Sequence, residues 1–185
     1  HGGQSVPNFD YAMAEGVKKT YRKQYFRALA QYIEVRFDMS ASDAAALTAA
    51  IKEALGTDVT MHTAEAYAEK LRAFLPRHQA ENGFQIITGD AARAAAEYAA
   101  KTAYKETDAT TYQAMEALVH NLNTMNSRAG AQVPFSSLNY GTDTSPEGRM
   151  AVHNLLRATE AGLGDGETPI FPVQIFKVKE GVNYN

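Results

Sequence analysis

Seven consecutive residues, Asn139-Tyr140-Gly141-Thr142-Asp143-Thr144-Ser145, bring an amide, a carboxylate and several hydroxyls into one short stretch. An apolar segment of strand character precedes them. Ser145-Pro146 follows, with serine placed to cap a helix and proline at its first position. The stretch therefore reads as the turn from the C-terminal end of a parallel strand into a helix. Ligands favour that edge of α/β sheets. Free N–H groups at a helix start favour an anion such as a phosphate. Asn139, Thr142, Asp143 and Ser145 are the candidate substrate-binding residues on this reasoning. A well-capped strand-to-helix turn calls for the same residue types, and that reading stands beside the first.

A second constellation is basic. Lys19, Lys23 and Arg27 recur every four residues and fall on one line of a helix, flanked by Lys18 and Arg22. No carboxylate occurs between positions 18 and 27, so these cations repel one another unless something neutralises them. The pattern suits an anion-binding stripe. It also suits a solvated helix face.

Other chemistry is missing from the sequence. The histidines His1, His62, His78, His120 and His153 are scattered, and none has a partner at metal-ligand spacing, so no metal is assigned. His120 lies beside an apolar helical stripe, where a satisfied structural histidine is expected. Ser136 and Ser137 lack the G-x-S-x-G context of a nucleophile elbow. There is no Walker A or dinucleotide fingerprint. Gly162-Leu163-Gly164-Asp165-Gly166 follows a helix instead of opening one, and reads as a turn.

The elements that must position these residues can be read from periodicity. After a Gly-rich lead, Asp10 is expected to cap a helix running to about Arg36, with Val17, Tyr21, Tyr25, Ala28, Leu29 and Tyr32 on one side. Ser40 or Ser42 can cap a helix through Leu55, closed by Gly56. Another helix fits His62 to Leu75, stopped before Pro76. Polar residues 77–89 carry an apolar patch at Phe84, Ile86 and Ile87, and a further helix fits Asp90 to about Lys105. The alanine-rich helices here read as a packing or interface module. Asp108 can cap a helix to about Asn126, with Tyr112, Met115, Leu118, Val119, Leu122 and Met125 as its buried stripe. Strands are expected at 132–140 and 172–179, with a helix from Ser145 to about Ala161 between them. That βαβ unit implies a parallel pair. Its apolar strands predict burial on both faces, with the missing neighbours supplied from elsewhere.

Composition narrows the field. The chain has 185 residues, 45% apolar and 21% charged, in the globular range. Eighteen basic residues against 21 acidic give a net charge of −3, which argues against a nucleic-acid or anionic-membrane partner. The absence of cysteine excludes, within these residues, a disulfide scaffold, a thiolate metal site, an iron–sulfur cluster and a cysteine nucleophile. No apolar run reaches membrane-span length and no signal-peptide pattern is present, so a cytoplasmic location is expected. The opening His1-Gly2-Gly3 and the ending Val182-Asn183-Tyr184-Asn185 suggest an internal piece of a longer polypeptide.

Longer strings carry a resemblance. Asn121-Leu122-Asn123-Thr124-Met125-Asn126-Ser127-Arg128, then Gly130 through Asp143, resembles the anaerobic (class III) ribonucleoside-triphosphate reductases, which are glycyl radical enzymes. So do Gly162 through Pro172, Glu180-Gly181-Val182-Asn183, and Gly2-Gly3-Gln4-Ser5 leading to Asn8-Phe9-Asp10. The resemblance covers residues 1–24 and 108–185 and is weak over about 38–104, which looks like a lineage-specific helical insertion.

The resemblance implies a helix-dominated piece of a ten-stranded α/β barrel. Residues 1–37 would be a barrel lead segment and a long basic helix at a dimer and effector surface. Residues 38–107 would be the insertion, and 108–185 a core helix with a βαβ portion of the barrel. The implied reaction reduces ribonucleoside triphosphates to deoxyribonucleoside triphosphates by glycyl and thiyl radical chemistry, with formate or a thiol system as reductant. An S-adenosylmethionine/iron–sulfur activase would install the glycyl radical, ATP and deoxynucleotides would act as effectors, and the protein would be a homodimer. No radical-bearing cysteine or glycyl-radical motif is present in this sequence, so no catalytic residue is assigned and no cofactor is expected within these residues. Effector contacts are expected at Lys19, Lys23, Arg27 and Asn121. The competing expectation is a non-catalytic helical interaction or regulatory module built on the alanine-rich segment.

Overall fold

A computed structural model describes residues 3–125 and 132–185. Among them the order is β1 (Gly3–Val6), α1 (Phe9–Arg36), α2 (Ala41–Leu55), α3 (Ala64–Glu81), α4 (Gly89–Thr124), β2 (Phe135–Tyr140), α5 (Pro146–Ala161) and β3 (Val173–Phe176). The chain divides into two compact units. One comprises residues 1–17 and 108–185 and carries the sheet; the other, residues 18–107, is helical. Helices dominate both.

In the sheet-bearing unit β1, β2 and β3 form a parallel sheet in that order. The βαβ unit is as expected: α5 joins β2 to β3. Its helix starts at Ser145, whose Oγ accepts from Gly148 N at 3.1 Å, with Pro146 next. It ends at Gly162, where φ is +77°. The two-strand expectation is corrected by β1, which pairs Gly3 to Val6 with Phe135 to Leu138. That strand is short and exposed along its length, so the Gly-rich lead gave no alternating signal. Burial on both faces is also corrected. Leu138 and Tyr140 in central β2 are buried, but Val173, Ile175 and Phe176 in edge strand β3 are 38%, 45% and 56% exposed. Leu138 and Tyr140 share a sheet face with Gln174, by register and alternation. Tyr140 donates to Gln174 Oε1 at 2.7 Å, and Gln174 Nε2 donates to Thr159 on α5 at 2.8 Å, which places α5 over this face. Leu155, Ala151 and Ala158 of α5 and Met115 and Val119 of α4 are buried in this unit.

The helical unit packs α1, α2, α3 and α4 residues around Tyr25, Leu29, Ile33, Ile51, Leu71 and Leu75. Fully burying such a side chain contributes about 1.5–3 kcal/mol each. Tyr25, Phe26 and Tyr67 meet edge to face at 5.4–6.0 Å. The Tyr67 hydroxyl donates to Gly56 O at 2.8 Å, tying α3 to the end of α2. Ser40, not Ser42, caps α2: its Oγ accepts from Asp43 N at 3.1 Å.

Two helix boundaries depart from expectation. Helix α3 continues through Pro76 to Glu81. Proline there removes one bond to the Arg72 carbonyl. Burial of Leu75 and Gln79 on either side of Pro76 holds the helix together. The expected helices at 90–105 and 108–126 are one helix, α4. Asp108 is not its cap but a mid-helix residue, whose carboxylate accepts from Asn154 Nδ2 at 2.8 Å and lies 3.7 Å from Arg157 on α5. On the expected stripe Met115 and Val119 are buried, while Met125 is exposed and so is His120, which is therefore no core histidine. Among the described residues no helix is long and apolar enough to cross a membrane.

Candidate functional site

The turn from β2 into α5 is organised by a residue far away in sequence. Asp10 does not cap α1; it lies inside the first turn of that helix and is 1% exposed. Its Oδ2 accepts from Gly141 N at 2.8 Å and Asp143 N at 3.0 Å, and its Oδ1 from Tyr11 N at 3.0 Å. Burial pushes the Asp10 carboxyl upward, but the N–H donations from Asp143, Gly141 and Tyr11 outweigh it and hold the group below its ordinary value. Tyr11 adds a hydroxyl donation to Thr142 O at 3.0 Å. Asp143 Oδ1 in turn accepts from Ser145 N at 2.8 Å.

These bonds decide what the turn offers. The N–H groups of residues 141, 143, 145 and 148 already have acceptors within the protein. A ligand here would meet side chains rather than those amides. Gly141 is obligatory: its φ is +126°, and a side chain would strike Lys177 O and the Phe176 ring. Asn183 braces the far side, donating to Gly141 O at 2.6 Å and Lys177 O at 2.9 Å. A pocket of about 300 Å³ opens beside the turn, lined by Asp10, Asp143, Thr144, Arg149, His153 and Phe176 among others.

The four sequence-predicted substrate residues are not gathered in that pocket. Asp143 lines it. Ser145 is occupied as the α5 cap, and the Thr142 carbonyl is bonded to Tyr11. Asn139 lies on the sheet face opposite Leu138 and Tyr140, in common with Ser5 and Ser137, whose hydroxyls are 3.1 Å apart. Its Oδ1 is buried and has no hydrogen-bond partner. Sequence reasoning missed Asp10, Arg149, His153 and Asn183. Asp10 reads in the sequence as a helix cap, a role it does not have, and its long-range role carries no sequence signal. Arg149 and His153 are four apart on α5, a spacing that does carry one.

Asn123 was missed as a clamp. It donates to Val119 O and Phe171 O, both at 2.6 Å, and accepts from Ile170 N and Phe171 N at 2.9 and 3.0 Å. It thereby fixes the segment that leads into β3. The string Asn126 to Ala131, prominent in the resemblance, lies outside the described residues.

In the helical unit Lys19, Lys23 and Arg27 are exposed on α1, as the four-residue spacing predicts, and line one open groove with residues of α2. Asn121 is exposed near the end of α4, in the sheet-bearing unit. Among the described residues no group of three or more His, Asp or Glu is placed to hold a metal ion.

A parallel βαβ unit extended by a third parallel strand, in a helix-dominated chain, makes this an α/β protein. Comparison with known proteins narrows this. The family described as anaerobic ribonucleoside-triphosphate reductase matches residues 1–185, and the chain belongs to that family. It is similar to the anaerobic ribonucleoside-triphosphate reductase of Enterobacteria phage T4, 40% identical over 82 residues, which are 44% of this chain and 13% of that protein. The Escherichia coli protein of that name is 35% identical over 74 residues, 40% of this chain and 10% of the relative. For Salmonella typhimurium the identity is 34% over 83 residues, 44% of this chain and 12% of the relative. The matched stretches thus span 10–13% of the relatives' own length.

Proposed function

We propose that this chain acts as part of a cytoplasmic anaerobic reductase that converts ribonucleoside triphosphates to deoxyribonucleoside triphosphates by glycyl and thiyl radical chemistry. The observation that carries the reading is the family match along all 185 residues. In this reading β1, β2 and β3 contribute three neighbouring strands of a ten-stranded barrel, and the rest of the protein supplies the others. The parallel pairing and the unpaired outer edges of β1 and β3 support it. Substrate would be held by residues at and beside the β2–α5 turn. Asn139 is the best supported of these, because a buried acceptor without a partner suits a ligand hydroxyl. Asp143 is next, at the rim of the pocket.

The radical chemistry needs cysteine and a glycyl radical site, and the 185 residues contain no cysteine. The reaction is therefore assigned to the whole protein, a homodimer activated by an S-adenosylmethionine/iron–sulfur enzyme and using formate or a thiol as reductant. ATP and deoxynucleotides would tune it through the α1 cations Lys19, Lys23 and Arg27. The test is anaerobic assay of the full-length protein with activase, S-adenosylmethionine and reductant. Deoxynucleotide formation that depends on a glycyl-radical signal is expected. No product in the presence of a full radical signal would overturn the reading.

A further inference from the structure

The pocket beside the β2–α5 turn lies across the sheet from Asn139. Phe176, which lines it, pairs in register with Tyr140 and shares the α5 face of the sheet, whereas Asn139 is on the opposite face. Four stretches of chain converge on the pocket: the start of α1, the turn, α5 and the segment after β3. Long-range bonds fix them in place. Asp10 accepts from Gly141 N and Asp143 N, and Asn183 donates to Gly141 O and Lys177 O. The cavity, about 300 Å³, is therefore preformed, and small-molecule sites begin at about that size. Its charged groups are not equally available. Asp10 is 1% exposed and taken up by three N–H donors. Asp143 gives Oδ1 to Ser145 N and turns Oδ2 toward Gly148. Arg149 and His153, one helical turn apart on α5, are exposed, and among the described residues their side chains have no hydrogen-bond or ion-pair partner. The rest of the wall is apolar: Leu156 is 48% exposed and Phe176 56%, with Val152 and Val182 beside them.

We infer that this pocket is a second ligand site, for a small oxyanion carried on an apolar body, with Arg149 and His153 on the anion and Leu156 and Phe176 against the body. A guanidinium grips a carboxylate or a phosphate through two parallel N–H bonds, and an imidazole adds a further N–H donor. A carboxylic acid and a phosphate monoester present the same kind of oxygens to that pair. A bare anion would leave the apolar wall in water, and a wholly apolar molecule would leave both donors unused. The inference goes beyond the substrate reading, whose best-supported residue, Asn139, is on the other side of the sheet.

The test is calorimetric titration of the full-length protein with phenyl phosphate and with benzoate, beside inorganic phosphate and benzyl alcohol, for wild type, Arg149→Gln and Leu156→Asn. Both replaced side chains are exposed, so the core is untouched and circular dichroism should be unchanged. At least one of the two aryl anions should bind wild type, and which of them binds tells a carboxylate ligand from a phosphate one. Arg149→Gln is expected to weaken that probe by up to about tenfold, the loss of one exposed charge contact. Leu156→Asn leaves the charges alone. It should weaken the aryl anion several-fold and leave inorganic phosphate as it was. If neither aryl anion binds, or if neither variant changes the binding, the site is overturned. Inorganic phosphate binding as tightly as phenyl phosphate, or benzyl alcohol as tightly as benzoate, would remove one half of the assignment and with it the ligand class. A ribonucleoside triphosphate that displaces the bound aryl anion would place the pocket within the substrate site, and the second-site inference would fall while the substrate reading stood.

Discussion

Asp10 shows how much one carboxylate can organise. It is buried, it accepts three backbone N–H bonds, and two of them come from a turn more than 130 residues away in sequence. Removing the acceptor would strand those donors, at about 1–3 kcal/mol for each group left unsatisfied. Asp10→Asn turns one oxygen into a donor facing donors, and should lower unfolding free energy by about 2–3 kcal/mol at neutral pH. Urea unfolding of wild type and variant measures it. The pH dependence has a definite sign. A carboxyl held below its ordinary value of 3.8 contributes stability that is fully present above that value and lost as pH falls through the folded value. The difference between wild type and Asp10→Asn should therefore shrink below about pH 4. A difference that stays constant on acidification would mean the charge of Asp10 is not what the turn uses. Gly148, three residues after the Ser145 cap, makes a second case. Alanine normally favours a helix over glycine by about 1 kcal/mol. Here a Cβ would overlap the Asp143 carboxylate and disturb its bond to Ser145 N. Gly148→Ala should be destabilising by about 1–3 kcal/mol, an overpacking cost read directly by thermal melting. A rise in melting temperature would show that Asp143 yields easily.

Elements were legible where local chemistry and tertiary packing agree. Helix α5 has its serine cap, its proline and its closing glycine, and its bounds follow from them. Helix α2 has Ser40 and Gly56 in the same roles. The misreadings share one cause, a residue with a strong local preference that a distant partner overrides. Pro76 should stop a helix, but Leu75 and Gln79 are buried and α3 runs on. Asp108 has the chemistry of a cap, but its carboxylate is taken by Asn154 and it stays mid-helix. Of the candidate site, the stripe on α1 could be read from spacing alone, because one helix carries it. The β2–α5 turn could be located, but Asp10 and Asn183 could not, since they reach it from other parts of the chain. The Asp108 contact is testable as a pair. Asn154 is fully buried; its Nδ2 also donates to Met150 O at 3.0 Å and its Oδ1 accepts from Arg157 Nη1 at 3.2 Å, so Asp108→Ala leaves the Nδ2 group one acceptor. A double-mutant cycle of Asp108→Ala with Asn154→Ala should give a coupling of about 0.5–1.5 kcal/mol. If Asp108 acted as a cap instead, its loss would cost the same whatever stood at 154, and the coupling would be near zero.

At the scale of the whole molecule the notable feature is an open sheet. Three parallel strands leave two edges, and parallel strands are ordinarily covered and flanked on both sides. Here β1 is exposed throughout, and β3 shows Val173, Ile175 and Phe176 to solvent. Phe135 on β2 is also half exposed. Apolar edges of this kind template pairing with another chain. In the proposed barrel the neighbouring strands of the same protein would occupy them. The 185 residues expressed alone have no such neighbours, and two such chains can satisfy each other edge to edge. Self-association is therefore expected, visible by light scattering as a mass that rises with protein concentration. Ile175→Lys puts a charge on the outer strand, a device that natural edges use to resist pairing, and should lower the association. The exposed residues Phe84 and Ile86 of the helical unit are a competing source of stickiness. Phe84→Ser separates the two, since it should leave the association unchanged if the sheet edge is responsible. A monodisperse monomer at every concentration, with a sharp cooperative melt, would contradict the expectation and mean that three strands suffice for this unit.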